Sequence, residues 1–405
     1  MTDQLFKYGS KKITLTLPDN IKKLEVNPPS SGCSAEEFMS GLESRIKISK
    51  ESRAGIVVSD KTRLCSYETY LPLLTTFLEQ KGVKSDNICF YIAYGTHPRQ
   101  SDSESLAAYG DTFLKYRFIH HDCNDREAHR SLGITSRGTE VLIRNDVFEN
   151  DLIILFGAIS HHYFAGYGGG RKLLFPGLAF RESVYQNHSL YIDFDRQMLD
   201  PGCESGILKG NPVAEDLEEI DKLLPRKLII SGILNTAGKV ALIRFDDTYS
   251  EFTDSCKVYD ESYRYRGDEK FKMVVASAGG YPKDINFIQT HKSLHNAASF
   301  VEDGGTLILL AECRDGSGND AFTKIFGRPV KEIIKELKTS YSGNGGTALA
   351  TLKKTGRIRV YMHTSLEKSI CHSMGISPLT PDEMQEMINK SNTRIAIIEN
   401  ASMIF

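Results

Sequence analysis

What most limits the fold of this chain is an alternation: short apolar runs of the kind that form buried strands are separated by stretches with helical spacing. Residues 13–17 alternate apolar and polar like a half-buried strand, and residues 55–59, 88–92, 141–143 and 152–156 read as further strands. Between the second and third of these, residues 67–80 carry Leu71, Leu74, Phe77 and Leu78 at helical spacing, with Gly82 just past the end. A strand, a helix and another strand in succession predict a mostly parallel sheet with helices on its faces. Residues 227–245 give two apolar runs around a turn containing Asn235 and Gly238, an apparent β-hairpin.

The pattern restarts after residues 259–270, a charged segment with few apolar anchors that reads as an interdomain crossing. Beyond it, residues 271–276, 305–311, 358–362 and 393–397 read as strands, and 292–301 and 330–337 as helices. Thr380, Pro381 and Glu383 open one more helix as a capping box with proline in first position. The expectation is an α/β protein of two α/β domains with mostly parallel sheets and an active-site cleft between them. Residues 1–265 form the larger N-terminal domain, residues 266–390 a smaller C-terminal one, and residues 391–405 are a candidate for packing back on the N-terminal domain.

Composition narrows the class. With 405 residues, 40% hydrophobic and 25% charged, the chain has material for two ordinary cores. A net charge of −2 gives no reason to expect nucleic acid or a membrane surface as partner. No apolar run approaches the roughly 18 residues of a bilayer span, and the first residues lack the basic and apolar segments of a signal peptide. Eight cysteines are scattered with no CxxC pair, which suits reduced thiols in a cytoplasm better than a disulfide framework or zinc cluster. Oligomeric state leaves no mark in the sequence.

The densest chemistry follows the 152–156 run. Ser160, His161 and His162 lead through Gly166, then Gly168, Gly169 and Gly170, to Arg171 and Lys172, and a helix ends at Tyr185, Gln186, Asn187 and His188. A triple-glycine turn alone is ordinary loop chemistry, and a single histidine beside an apolar strand is more often a core residue than a ligand. Here imidazoles, an amine and side-chain-free backbone occur together where a strand ends, and ligands bind at the carboxyl ends of strands in open α/β sheets. Asp60 and Arg63 follow one strand and His97 another. An arginine can clamp a carboxylate or phosphate through two parallel hydrogen bonds. In the second half, Gly279 to Asp284 follow a strand and lead to Gln289 and Lys292, whose i,i+3 spacing puts an amide and an ammonium on one helical face. Polar groups at successive strand ends suit a small, oxygen-rich, anionic substrate.

These residues together resemble the nickel-dependent lactate racemase family. The resemblance rests on Asp60-x-x-Arg63, on Gly95-Thr96-His97, on His162 to Gly166 with Lys172 ten residues after His162 and His188 sixteen after that, on Gly210-Asn211-Pro212-Val213, and on Gly280 to Asp284 with Gln289 and Lys292. It implies a nickel pincer nucleotide as cofactor, a pyridinium mononucleotide whose two thio-acyl arms hold nickel through sulfur, carbon and sulfur. By the same resemblance His188 is the fourth nickel ligand, Lys172 matches a lysine that can carry the cofactor through a thioamide bond, and His97 and His162 match the two acid/base histidines. Asp60 falls with the cofactor-binding set. Arg63, Gln289 and Lys292 would hold and orient the substrate, and the backbone of Gly168, Gly169 and Gly170 would cradle the cofactor's phosphate. The reaction implied is racemisation or epimerisation at C2 of a small 2-hydroxy acid by hydride transfer, with cofactor-building enzymes needed for activation.

The chemistry of the residues agrees with this. Three pincer donors plus one imidazole make the tetragonal set suited to nickel(II), and two imidazoles, one per face of the substrate, are poised near neutral pH for proton transfer. The chain departs from the lactate-racemising pattern in having no tryptophan, and the match runs to about residue 320 with none convincing after residue 340, so lactate itself is not implied. Two other readings use the same residues. One is a zinc-dependent hydrolase with His97, His162 and His188 as ligands, and the other is a non-catalytic two-domain protein that closes on a sugar acid or nucleotide.

Overall fold

The strand Ala54–Ser59 is buried at all six positions, as a strand covered by helices on both faces must be. In the computed structural model, which describes every residue except Ser31 and Gly343, it lies at the centre of a six-stranded sheet. The order is Val240–Asp246, Leu228–Leu234, Leu152–Ala158, Ala54–Ser59, Ile88–Ala93, Arg117–His120. All neighbours are parallel except Val240–Asp246, which turns back antiparallel on Leu228–Leu234 as the expected hairpin. The chain builds outward from Ala54–Ser59 through Ile88–Ala93 to Arg117–His120, then returns on the other side of Ala54–Ser59 with Leu152–Ala158. That reversal is the switch point at which open α/β sheets bind ligands.

The helix Tyr67–Gln80 has the predicted bounds and buries Leu71, Leu74, Phe77 and Leu78. Ahead of it the helix Ala35–Arg45 is started by a Ser34/Glu37 capping box and buries Phe38 and Leu42, with Phe38 6.1 Å from Phe156 of the sheet. This sheet and its helices form one of two compact units, residues Pro28–Leu190 with Gly202–Ser262 (unit I). Unit II is Met1–Asn27, Tyr191–Pro201 and Tyr263–Phe405.

Unit II has its own six-stranded, all-parallel sheet in the order Ile376–Pro378, Arg359–His363, Val301–Leu310, Phe271–Ser277, Ile395–Ile398, Lys22–Lys23. One face packs Phe287, Leu294 and Ala297 of the helix Phe287–Ser299 against Val274 and Leu307. The other face is covered by the hairpin Thr2–Tyr8 and Lys11–Leu17, through Phe6, Leu15 and Leu17, and by Met384 and Ile388 of the helix Pro381–Asn389. Thr380 and Glu383 form the predicted capping box of that helix. The architecture is therefore α/β with mostly parallel sheets.

Several sequence-based bounds are revised. Residues 1–27 belong with the C-terminal half, because the apolar side of their hairpin closes the second sheet and not the first. Residues 391–405 do not return to the N-terminal domain. Ile395–Ile398 is buried at all four positions because it sits inside the unit II sheet, between Phe271–Ser277 and Lys22–Lys23. The 141–143 strand, observed as Glu140–Arg144, pairs with His129–Ile134 in a separate antiparallel ribbon. Part of the supposed crossing at 259–270 is the end of a helix, Tyr249–Tyr263, whose Phe252, Cys256, Tyr259 and Tyr263 are buried at helical spacing. The 292–301 helix starts earlier, at Phe287, capped by the side chain of Asn286. The helix Gly345–Arg357 escaped the sequence reading because two glycines open it. None of the eight cysteines is joined in a disulfide. Among the described residues no helix is long and apolar enough to cross a membrane.

Candidate active site

Three adjacent central strands of unit I deliver the candidate residues from their carboxyl ends. Asp60 directly follows Ala54–Ser59 and is buried. One of its oxygens, Oδ1, accepts from the Thr62 backbone N–H at 3.0 Å and the Thr62 hydroxyl at 2.6 Å. The other, Oδ2, lies 2.7 Å from Nδ1 of His97, which follows Ile88–Ala93. Burial pushes the Asp60 carboxyl up, but the charge and hydrogen bond of His97, the Thr62 bonds and nearby Arg63 overcome it and hold the group at about 2. A carboxylate only accepts, so Nδ1 of His97 donates and the lone pair of the neutral ring resides on Nε2. His97 is thereby arranged as a proton acceptor.

The third strand, Leu152–Ala158, runs into a short antiparallel hairpin of Ser160–His162 with Gly166–Gly168. Within its turn, the Ala165 backbone N–H donates to Nδ1 of His162 at 3.3 Å. The same counting puts the proton of neutral His162 on Nε2. The two histidines thus start in complementary states, one an acceptor at Nε2 and the other a donor there.

The hairpin leads into the glycine turn. Gly169 has φ +80°, and a Cβ there would lie 2.5 Å from the Ala158 carbonyl oxygen. A Cβ on Gly170 would lie 2.4 Å from the Phe252 ring. Close packing against the strand end and the Tyr249–Tyr263 helix therefore requires these two glycines. The next two side chains are buried cations. Arg171 is packed against Tyr249 and Phe252, its guanidinium carbon 5.0 and 5.3 Å from the ring centroids, with no hydrogen-bond partner among the described residues on any of its three nitrogens. Lys172 has its Nζ 5.7 Å from the Phe164 ring centroid and pairs with no carboxylate among the described residues. Burial first, then the Arg63 and Arg171 charges, press the Lys172 amine well below the usual lysine range, which favours the nucleophilic free amine.

His188 sits on the helix Arg181–Ser189, its ring 5.1 Å from Phe164 and edge-on to it. Its Nε2 is buried with no hydrogen-bond partner among the described residues. Burial, then the charges of Lys172, Arg63 and His97, lower its pKa to about 3, so the ring is neutral at physiological pH. A neutral buried imidazole with an unused nitrogen is a metal-ligand chemistry. The helix that carries it is tied down next door: Asn187 donates at 2.8 Å to the buried carboxylate of Asp216, which also accepts from the hydroxyls of Thr135 and Thr139 at 2.6 and 2.8 Å.

The expected site residues Asp60, Arg63, His97, His162, Gly168, Gly169, Gly170, Lys172 and His188 all belong to unit I, and Asp60 and His97 meet directly. Gln289 and Lys292 belong to unit II, where they lie on the helix Phe287–Ser299 and the Lys292 ammonium donates to the Gln289 carbonyl oxygen at 2.6 Å. Among the described residues no three His, Cys, Asp or Glu side chains come together to hold a metal ion. The three-histidine zinc site of the hydrolase reading is therefore not formed. The sequence reading missed Thr62, whose hydroxyl two residues beyond an aspartate is a recognisable local signal. It also missed Phe164, Arg171 and the Asp216 network, for which no local signal exists.

Two family descriptions match this chain: the lactate racemase N-terminal domain over residues 8–199 and the lactate racemase C-terminal domain over residues 268–347. The chain belongs to the lactate racemase family. It is accordingly an isomerase. The lactate racemase of Thermoanaerobacterium thermosaccharolyticum is 28% identical over 323 residues, covering 79% of this chain and 71% of that protein. The lactate racemase of Lactiplantibacillus plantarum is 27% identical over 269 residues, covering 66% and 62%. The solved lactate racemase apoprotein from T. thermosaccharolyticum superposes with a TM-score of 0.84 at 25% identity, over 100% of this chain and 99% of that one. The likeness to this family member thus continues past residue 340, where the sequence resemblance had ended. A solved protein from Thermotoga maritima shares the fold, with a TM-score of 0.73 at 15% identity over 93% of this chain and 99% of that one.

Proposed function

We propose that this chain racemises or epimerises a small 2-hydroxy acid at C2 with the help of a nickel pincer nucleotide, as its relatives' chemistry with lactate suggests. The observation that carries the reading is His188: a buried, neutral imidazole whose Nε2 has no hydrogen-bond partner among the described residues, near a buried lysine whose amine burial pushes well below the usual lysine range. A cofactor that brings its own sulfur and carbon donors needs one imidazole from the protein, and the residues present fit it. His188 would ligate the nickel, Lys172 would form the covalent link, and Gly168, Gly169 and Gly170, with Asp60 nearby, would complete the cofactor's surroundings. When bound, such a group would supply a reversible acceptor for the C2 hydride.

The rest falls to side chains. His97, oriented by Asp60, takes the hydroxyl proton of one stereoisomer at Nε2 and becomes imidazolium, while His162, entering the turnover as imidazolium, gives a proton from Nε2 to the C2 oxygen and is left neutral. Reaction in the other direction starts with His97 protonated and His162 neutral; a proton on Nδ1 of His162 displaces the Ala165 N–H, whose 3.3 Å bond is long enough to yield. Arg63, which makes no ion pair among the described residues, would clamp the substrate carboxylate. Gln289 and Lys292 offer an amide and an ammonium suited to the same oxygen-rich class. We place the protein in the cytoplasm with the enzymes that build the cofactor.

Protein produced alongside those enzymes, given 2-hydroxy acids deuterated at C2, tests the reading. Product should retain much of its label, because the hydrogen never mixes with water. His97→Ala and His162→Ala should each slow both directions by about 10² to 10⁴. Complete washout of label into solvent would point to deprotonation at carbon and overturn the hydride route.

A further inference from the structure

Neighbouring residues of a strand point to opposite faces, so His161 turns away from His162. It stands opposite Tyr167 across the hairpin. Both side chains end on one carboxylate: Nε2 of His161 is 2.5 Å from Oδ1 of Asp260, and the Tyr167 hydroxyl donates to Oδ2 at 2.7 Å. Asp260 comes from the helix Tyr249–Tyr263, and Tyr259 beside it sets its ring edge-on to His161 at 4.9 Å. Two turns earlier on that helix, Phe252 abuts Gly170. One helix therefore backs the whole stretch from His161 to Arg171, and Asp260 is its polar fastening.

We propose that Asp260 is a positioning residue for His162: by holding one residue from each strand, it fixes the hairpin whose turn supplies the Ala165 N–H to Nδ1 of His162. A carboxylate with two oxygens can satisfy two donors at once, and charge-assisted bonds of this length are the strong ones. Without that tie the two short strands, paired over three residues each, lose a shared anchor, and the Ala165 donor moves relative to the ring. His162 then samples both tautomers instead of one. The inference rests on reading His162 as an acid/base group.

The test uses full-length Asp260→Asn and Asp260→Glu, with ¹⁵N-histidine NMR to read the His162 tautomer and steady-state kinetics on the cofactor-loaded enzyme. Wild type should show a single Nε2–H form of His162, and Asp260→Asn a mixture. The asparagine variant should lose about 10- to 100-fold in kcat with KM little changed, and the glutamate variant should recover much of it. Should Asp260→Asn fail to fold, Tyr167→Phe removes one of the two ties and should shift the tautomer signal the same way by less. An unchanged His162 signal, or a kcat loss that only tracks the unfolded fraction, overturns the inference. A wild type that shows the fixed tautomer, lost in Asp260→Asn, yet racemises no 2-hydroxy acid would instead refute the proposed reaction while leaving the positioning role standing.

Discussion

Nδ1 of His97 and Oδ2 of Asp60 lie 2.7 Å apart, and the second oxygen of Asp60 is fully used by Thr62. The carboxylate can neither rotate nor take another proton donor without loss, so the orientation of the imidazole is inherited from the end of the Ala54–Ser59 strand.

Asp60→Asn keeps the shape and removes the charge. Activity should fall by about 10- to 100-fold or more. Stability gives an independent reading: Asp60 titrates at about 2 in the folded chain against an ordinary 3.8, so its contribution is present above pH 4 and disappears as pH falls through 2. The difference amounts to roughly 2 kcal/mol. Acid unfolding curves should therefore be steeper for wild type than for the variant between pH 4 and 2, and parallel curves would refute the assignment.

Lys172→Met should stabilise the protein at neutral pH. In the unfolded chain the amine titrates in the ordinary lysine range, near 10.5, and in the folded chain well below it. Between those values the unfolded state binds the extra proton, and wild-type stability climbs with pH. The Tm advantage of the variant should shrink as pH rises toward the ordinary lysine range. Mass spectrometry of protein made with the cofactor-building enzymes should show no covalent adduct on the variant. An adduct of unchanged mass and yield would exclude Lys172 as the attachment point.

For His188 the sign is the usual one for a histidine buried neutral. Its pKa falls from 6.5 to about 3 on folding, so stability is complete above pH 6.5 and drains away as pH drops toward 3. His188→Phe removes the unsatisfied nitrogen and this proton linkage together, and its Tm should hold better than wild type at pH 5. Nickel measured by elemental analysis in the purified, cofactor-exposed variant should fall to background. Retention of wild-type nickel content would reassign the ligand.

Gly169→Ala should cost at least about 1–3 kcal/mol in urea unfolding, because the backbone angle there is one that only glycine adopts readily and the added methyl meets the Ala158 carbonyl. A cost within about 0.5 kcal/mol, the range of an ordinary surface change, would mean that the turn relaxes freely.

What could be read from the sequence was local. Asp60, His97 and His162 could be placed because each comes just after an apolar run, and strand ends are where such sheets bind ligands. The Tyr67–Gln80 helix was legible to the residue because its apolar stripe is long and regular. The alternation at residues 13–17 identified a strand but could not say which sheet it would cover, since either core would have accepted Leu15 and Leu17. The contact of His161 with Asp260 spans 99 residues of chain, and the helix carrying Asp260 was taken in part for a linker because of its charges. Pairings across such distances depend on topology, which periodicity does not encode.

The position of Ile395–Ile398 inside the unit II sheet has a consequence for the order in which the protein can be made. Every strand of the unit I sheet has been synthesised by residue 246, whereas the hairpin at residues 2–17 is made long before the unit II strands that it covers. At synthesis rates of about 5–20 residues per second, this hairpin spends many seconds without the surface it covers, its Phe6, Leu15 and Leu17 available to chaperones or to wrong partners.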